Sequence, residues 1–119
     1  MGYNTNFKGT LKFTTVPTAE MIGMLQTILG EDCRDHPEWD EPDLTHLNLE
    51  INEECTGLEW DGQEKTYEMT GLVNLVLKQM RKQYPTFGLT GLLKAQGQDV
   101  GDVWEVYIGE DGWAHWRDL

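Results

Sequence analysis

The chain has 119 residues, 39% of them hydrophobic, which is enough for one domain with its own apolar core. Its formal net charge of −12 repels nucleic acid and anionic membranes, so we expect neither as a direct partner. No apolar run approaches the length of a membrane span and no signal peptide is recognisable, so we expect a single domain over residues 1–119 in the cytoplasm.

The N-terminal third predicts a strand, a helix and a loop. Apolar residues alternate with polar ones from Phe7 to Phe13, which is typical of a half-buried strand. Thr18 is a good helix N-cap, and apolar residues follow at helical spacing up to Gly30, a residue type that often ends helices. Residues 31–43 are acidic and contain two prolines, which predicts an ordered surface loop.

The next part predicts a β-hairpin and a second helix. Alternation from Leu44 to Asn52 indicates a strand, and residues 58–60 indicate the strand that returns after a tight loop. Asp61 and Glu64 have the spacing of a capping box in front of a periodic apolar run, so we expect them to begin the helix. Its predicted buried stripe contains Met69, Leu72, Val73, Val76, Leu77 and Met80.

Three strands are predicted in the C-terminal part. Residues 89–95, 103–108 and 113–117 are rich in β-formers and are separated by polar, Gly-rich turns. The element order is therefore βαββαβββ. Strands joined by short turns pair antiparallel, and two amphipathic helices need one apolar surface to cover. We predict an α+β two-layer sandwich, with a mostly antiparallel sheet of about five to six strands and both helices on one face.

Charge distribution is the strongest functional pattern. Residues 31–68 contain fourteen of the 21 acidic residues and only two basic ones, Arg34 and Lys65, so this segment carries the whole net charge. A local negative field attracts basic partners, although a merely solubilising surface is the alternative. The residues that we predict to bind a partner are Glu31, Asp32, Asp35, Glu38, Asp40, Glu41, Asp43, Glu53 and Glu54.

The sequence offers little for catalysis or metal binding. Cys33, Asp35, His36 and His46 are ligand types for zinc, but Cys33 and His36 form a single weak pair, so we expect no metal and no other cofactor. The chain contains no serine to act as a nucleophile, and no Gly-rich loop leads from a strand into a helix. We therefore expect no enzyme. Whether Cys33 and Cys55 form a disulfide stays open.

A segment in the middle of the chain carries a family resemblance. It contains Trp60, Asp61, Gly62, Glu64, Lys65 and Tyr67. It resembles the Trp-Asp-Gly-x-Glu-Lys-x-Tyr motif of a family of small phage and prophage proteins. Residues 1–9 and 89–102 resemble other parts of the same family, with Asn6 and Gln98 where the family has acids. The resemblance implies a phage origin and a bacterial host cell, and no established activity. The motif is either a structural turn and helix cap or a contact for a ligand or partner.

These patterns favour an acidic phage-type binding protein without enzymatic activity. Its partner would be a basic, nucleic-acid-binding host protein that it inhibits or modulates, such as a defence nuclease. One alternative is a small-ligand-binding domain or minor enzyme that uses the turn from Trp60 to Tyr67. Another is a structural module that forms homo-oligomers through an edge strand.

Overall fold

The computed structural model describes residues 5–63 and 66–119. Within these ranges it contains two α-helices and one sheet of seven short strands. The strands are β1 (Asn6–Lys8), β2 (Leu11–Phe13), β3 (Leu49–Ile51), β4 (Gly57–Trp60), β5 (Leu89–Gln96), β6 (Val103–Ile108) and β7 (Ala114–Asp118), and the helices are α1 (Ala19–Ile28) and α2 (Met69–Gln83).

All strand pairs in the sheet are antiparallel. The order is β3-β4-β2-β5-β6-β7, and β1 pairs with the part of β5 that lies beyond β2. Helix α1 packs on α2, and α2 packs on β7, so both helices cover one face. Lys12 and Lys94 are exposed on the other face. The predicted α+β architecture is confirmed, with seven short strands rather than five or six.

The hydrophobic core lies between the helices and the sheet. Every residue of the predicted stripe on α2 is buried, with at most 4% of its surface exposed. Leu25 of α1 and Leu11, Leu58 and Leu93 of the sheet are fully buried in the same cluster. Neither helix in the described ranges has the length and apolar composition needed to cross a bilayer.

The predicted strand from Phe7 to Phe13 is interrupted in its middle. Gly9 has a φ of +117°, which favours glycine, and a Cβ there would lie 2.7 Å from the carbonyl oxygen of Leu92. The backbone irregularity at Gly9 separates β1 from β2. Both halves still pair with β5, so Phe7 and Leu11 remain on the core face.

The predicted strand from Leu44 to Asn52 is too long, because only Leu49–Ile51 belongs to the sheet. The N–H of Leu49 donates to the carbonyl oxygen of Leu47, and this tight turn breaks the strand. The preceding residues pair instead with the chain that follows α1. Gly30 donates to the Leu47 carbonyl, and Cys33 donates to the Thr45 carbonyl, each at 2.9 Å.

The predicted capping box at Asp61 and Glu64 is wrong as the start of the helix. Helix α2 begins at Met69, and its N-cap residue Glu68 makes no side-chain capping hydrogen bond. The Asp61 carboxylate accepts from the N–H of Gln63 at 3.0 Å, inside the turn that follows β4. Glu64 lies outside the described residues. By contrast, the predicted N-cap of α1 is confirmed, since the Thr18 hydroxyl accepts from the Met21 N–H at 3.2 Å.

Candidate functional site

The acidic loop, residues 31–43, is an ordered part of the structure. It contains two 3₁₀ turns, Cys33–Asp35 and Pro37–Trp39. Trp39 is 7% exposed and Cys33 is 2% exposed, so both side chains join the loop to the core. The pairing of this segment with residues 45–47 adds backbone hydrogen bonds. Its carboxylates are therefore displayed from a backbone that is held in place.

The predicted partner-binding carboxylates lie at the surface. Seven of the nine are exposed, and Asp32 and Glu41 are partly buried. Within residues 5–63 and 66–119, Arg34 is the only lysine or arginine that forms an ion pair with an acid of the segment 31–68. Arg34 binds both oxygens of Asp32, and these hydrogen bonds lower the pKa of Asp32 to about 2. The rest of the surface keeps its negative charge.

Two histidines lie beside these carboxylates: His46, whose Nε2 atom is 3.8 Å from Asp32, and His36, which contacts two glutamates. The Nδ1 atom of His36 is 3.0 Å from Glu38, and its Nε2 atom is 3.1 Å from Glu31. These hydrogen bonds, the one to Glu38 first, raise the pKa of His36. A neutral imidazole has only one N–H, so both contacts are hydrogen bonds only when the ring is protonated. A protonated His36 would cancel one negative charge of the acidic loop.

The carboxylates do not form a single cluster. Glu53 and Glu54 are in the β3–β4 turn, where Glu54 lies beside residues 13–17 rather than beside the acidic loop. Glu50 on β3 and Glu59 on β4 are direct cross-strand neighbours, a pair that the sequence analysis did not assign to the partner surface. Only the pairing register reveals it. The two carboxylates add to the local negative field. Like charges placed directly opposite each other also destabilise a sheet.

Hydrogen bonds join the described residues between β4 and α2, 61–63 and 66–68, to the end of β4. The indole N–H of Trp60 donates to the Thr66 hydroxyl at 2.8 Å, and that hydroxyl donates to the Gln63 carbonyl. Asp61 also accepts from the side-chain amide of Asn48 at 3.3 Å, and Gly62 has a φ of +86°. Tyr67 is exposed, whereas Glu64 and Lys65 lie outside the described residues. These hydrogen bonds occupy Trp60 and Asp61, which favours the structural interpretation.

A cleft of about 330 Å³ lies beside this turn, between the start of α2 and the ends of β6 and β7. Its base includes Phe7 and Val106, both buried. Trp104 and Trp116 lie on the same face of the sheet, because Val106, two residues after Trp104, pairs with Trp116. The rim carries three carboxylates, those of Glu68, Asp102 and Asp118.

Among the described residues, the cysteines and the potential metal ligands form no further candidate site. Cys33 is buried and Cys55 is exposed, and the two are not joined by a disulfide. No cluster of three or more potential metal ligands occurs in the part of the chain that the structure describes. Comparisons with protein-family models, curated proteins and solved structures found no significant match. The candidate sites are therefore the acidic loop and the cleft.

Proposed function

We propose that this chain is an acidic, non-enzymatic binding protein of phage type. Inside a bacterial host cell it would inhibit or modulate a basic protein by occupying a cleft that normally binds nucleic acid. The acidic loop carries this proposal. Five of its seven carboxylates are exposed, and they stand on a backbone anchored by Trp39. The resemblance to phage proteins supplies the cellular setting.

The physical basis is competition for the same basic side chains. Clefts that bind nucleic acid present lysine and arginine to phosphates, and most of their affinity depends on salt. Carboxylates on an ordered backbone can pair with those side chains without a large cost of ordering the loop. Charges at the rim of such an interface mainly increase the association rate. The interaction should therefore be fast and sensitive to ionic strength.

The test begins with the immobilised full chain and a bacterial host lysate. A partner of the proposed kind is retained in about 0.1 M salt and released in about 1 M salt, as the Debye length falls from about 10 Å to about 3 Å. Short duplex DNA should also release it, because DNA would compete for the same cleft. The partner is then purified, and its affinity for variants of this chain is measured.

The decisive variant replaces Asp35, Asp40 and Asp43 by asparagine. All three are exposed, and asparagine tolerates the φ of 55° at Asp40. Each exposed charge contributes roughly 0.5 kcal/mol to binding, so we expect the loss of three charges to lower the affinity about tenfold at low salt. The matched control removes three charges elsewhere, at Glu20, Asp99 and Glu110, and should bind like the wild type.

Equal losses in both triple variants would contradict a role for the acidic loop, since they would reflect net charge alone. A partner that DNA does not displace would contradict the proposal that this chain occupies a nucleic-acid-binding cleft of the partner.

The alternative functions have less support. The hydrogen bonds of Trp60 and Asp61 are used within the turn, which weighs against a ligand site there. Asn74 occupies part of the β7 edge, which weighs against oligomers through that edge.

A further inference from the structure

The cleft exists because α2 begins too late to cover the whole sheet. The side chains of Trp104 and Trp116 point to the face that the helices cover elsewhere, yet Trp116 is 60% exposed. Phe7 lies edge-on to Trp104, with ring centroids 6.4 Å apart and planes at 89°. Three aromatic rings therefore border one open depression. An exposed aromatic surface in this position is a common feature of binding sites.

The charge around these rings has one sign. Asp118 pairs with Trp104 in the sheet register, so its carboxylate belongs to the same face as the two indoles. Glu68 and Asp102 also line the depression. Among the described residues that border it there is no basic side chain, and none of these three carboxylates forms an ion pair within the described ranges. The cleft thus combines aromatic faces with negative charge.

We propose that this cleft receives the guanidinium group of an arginine side chain presented by the protein partner. A cation over the face of tryptophan is attracted by the ring, and carboxylates at the rim add direct pairing. Guanidinium fits better than ammonium, because it is planar, stacks on an indole and binds a carboxylate through two parallel hydrogen bonds. This inference rests on the proposed function, since a basic partner supplies the arginine.

The same cleft has one feature that favours an anion. The N-terminus of α2 lies at its border, and helix N-termini attract negative charge. Glu68 already places a carboxylate at that terminus, which offsets the dipole. We therefore expect the cleft to bind a cation more tightly than an anion, and the experiment includes phosphate as a direct comparison.

The experiment titrates the full, ¹⁵N-labelled chain with N-acetyl-arginine amide. We expect the indole N–H signals of Trp104 and Trp116 to shift together along one saturable curve, while the signal of Trp113 stays in place. The matching lysine derivative, tetramethylammonium and inorganic phosphate are titrated in parallel. Tighter binding of any of these three than of the arginine derivative would overturn the assignment to guanidinium.

Two variants test the walls of the cleft. Trp116→Ala should weaken binding of the arginine derivative about two- to fivefold, the range expected for one exposed cation–π contact. Its control is Trp113→Ala, at an exposed tryptophan near the turn between β6 and β7, which should leave binding unchanged. Asp118→Asn should weaken binding about twofold, and Asp99→Asn should not. Equal binding by Trp116→Ala and the wild type would overturn the proposal.

Failure of this inference can be told apart from failure of the proposed function. If Trp116→Ala binds the purified partner normally while the loss of the loop charges weakens it, the cleft proposal is wrong and the acidic-loop proposal stands. If the loop variant binds the partner normally but the arginine derivative still saturates the cleft, the acidic-loop proposal is wrong and the cleft proposal stands.

Discussion

The imidazole ring of His36 lies flat on the indole ring of Trp39, with centroids 4.0 Å apart and planes inclined by 9°. Trp39 is buried, so it provides a fixed platform for the histidine. Glu38 and Glu31 hold the two ring nitrogens. The acidic loop is thus held by an aromatic stack and two hydrogen bonds whose strength depends on protonation.

The first prediction concerns pH. The pKa of His36 is raised above 6.5, the ordinary value, by its hydrogen bonds to Glu38 and then Glu31. Protonated His36 therefore stabilises the fold in full below about pH 6.5, and this contribution is lost as the pH rises through the folded-state pKa. Urea unfolding should show a loss of stability with rising pH that is smaller in His36→Gln. His46→Gln keeps both contacts of His36 and should behave like the wild type. Parallel pH profiles for His36→Gln and the wild type would contradict the prediction.

The second prediction compares two glycines. Gly9→Ala should destabilise the protein by about 1–3 kcal/mol, because its φ is positive and a Cβ would meet the Leu92 carbonyl. Gly23→Ala should stabilise it by about 0.5–1 kcal/mol, since this position is inside α1 and has no neighbouring atom within 4 Å. Both changes add one methyl group. A difference between their free energies of unfolding, measured by chemical denaturation, therefore reports backbone strain rather than side-chain chemistry. Equal effects would argue against backbone strain at position 9.

The third prediction concerns a link between α2 and β7. The side-chain amide of Asn74 donates to the Ala114 carbonyl at 3.0 Å and its oxygen accepts from the Ala114 N–H at 2.7 Å. Asn74→Ala removes both hydrogen bonds and should cost about 1–3 kcal/mol in urea unfolding. Lys78→Ala, on the exposed side of the same helix, should change stability by less than about 0.5 kcal/mol. Similar small effects of both would indicate that the link contributes little.

The fourth prediction concerns the two thiols. Cys55 is exposed, whereas Cys33 is buried and its pKa is raised, first by burial and then by Asp32. A thiol reagent should modify one cysteine rapidly in the native protein, and Cys55→Ala should abolish that reaction. Unfolding in urea should expose the second thiol. Rapid modification of the Cys55→Ala variant in native buffer would contradict the burial of Cys33.

Much of the acidic loop could be predicted because its signals are local. Two prolines and a high density of charge mark residues 31–43 as a surface loop, and Gly30 before it marks the end of α1. The cleft could be predicted only in part. Alternation puts every second residue of a strand on one face, but the strand register decides that Trp104 and Trp116 share a face, and the exposure of Trp116 depends on where α2 begins. The capping-box pattern at Asp61 suggested a start several residues too early, because the same side chain can also close a turn.

The amino-acid sequence by itself determined the α+β class, the order of its principal helices and strands, the buried stripe of α2 and the concentration of acids in one segment. Each follows from periodicity or composition within short windows. Tertiary structure alone decided that β1 and β2 separate at Gly9, that Glu50 faces Glu59, and that three carboxylates surround the aromatic cleft. These features join residues far apart in the chain, and strand register and helix packing, which local patterns do not encode, set their positions.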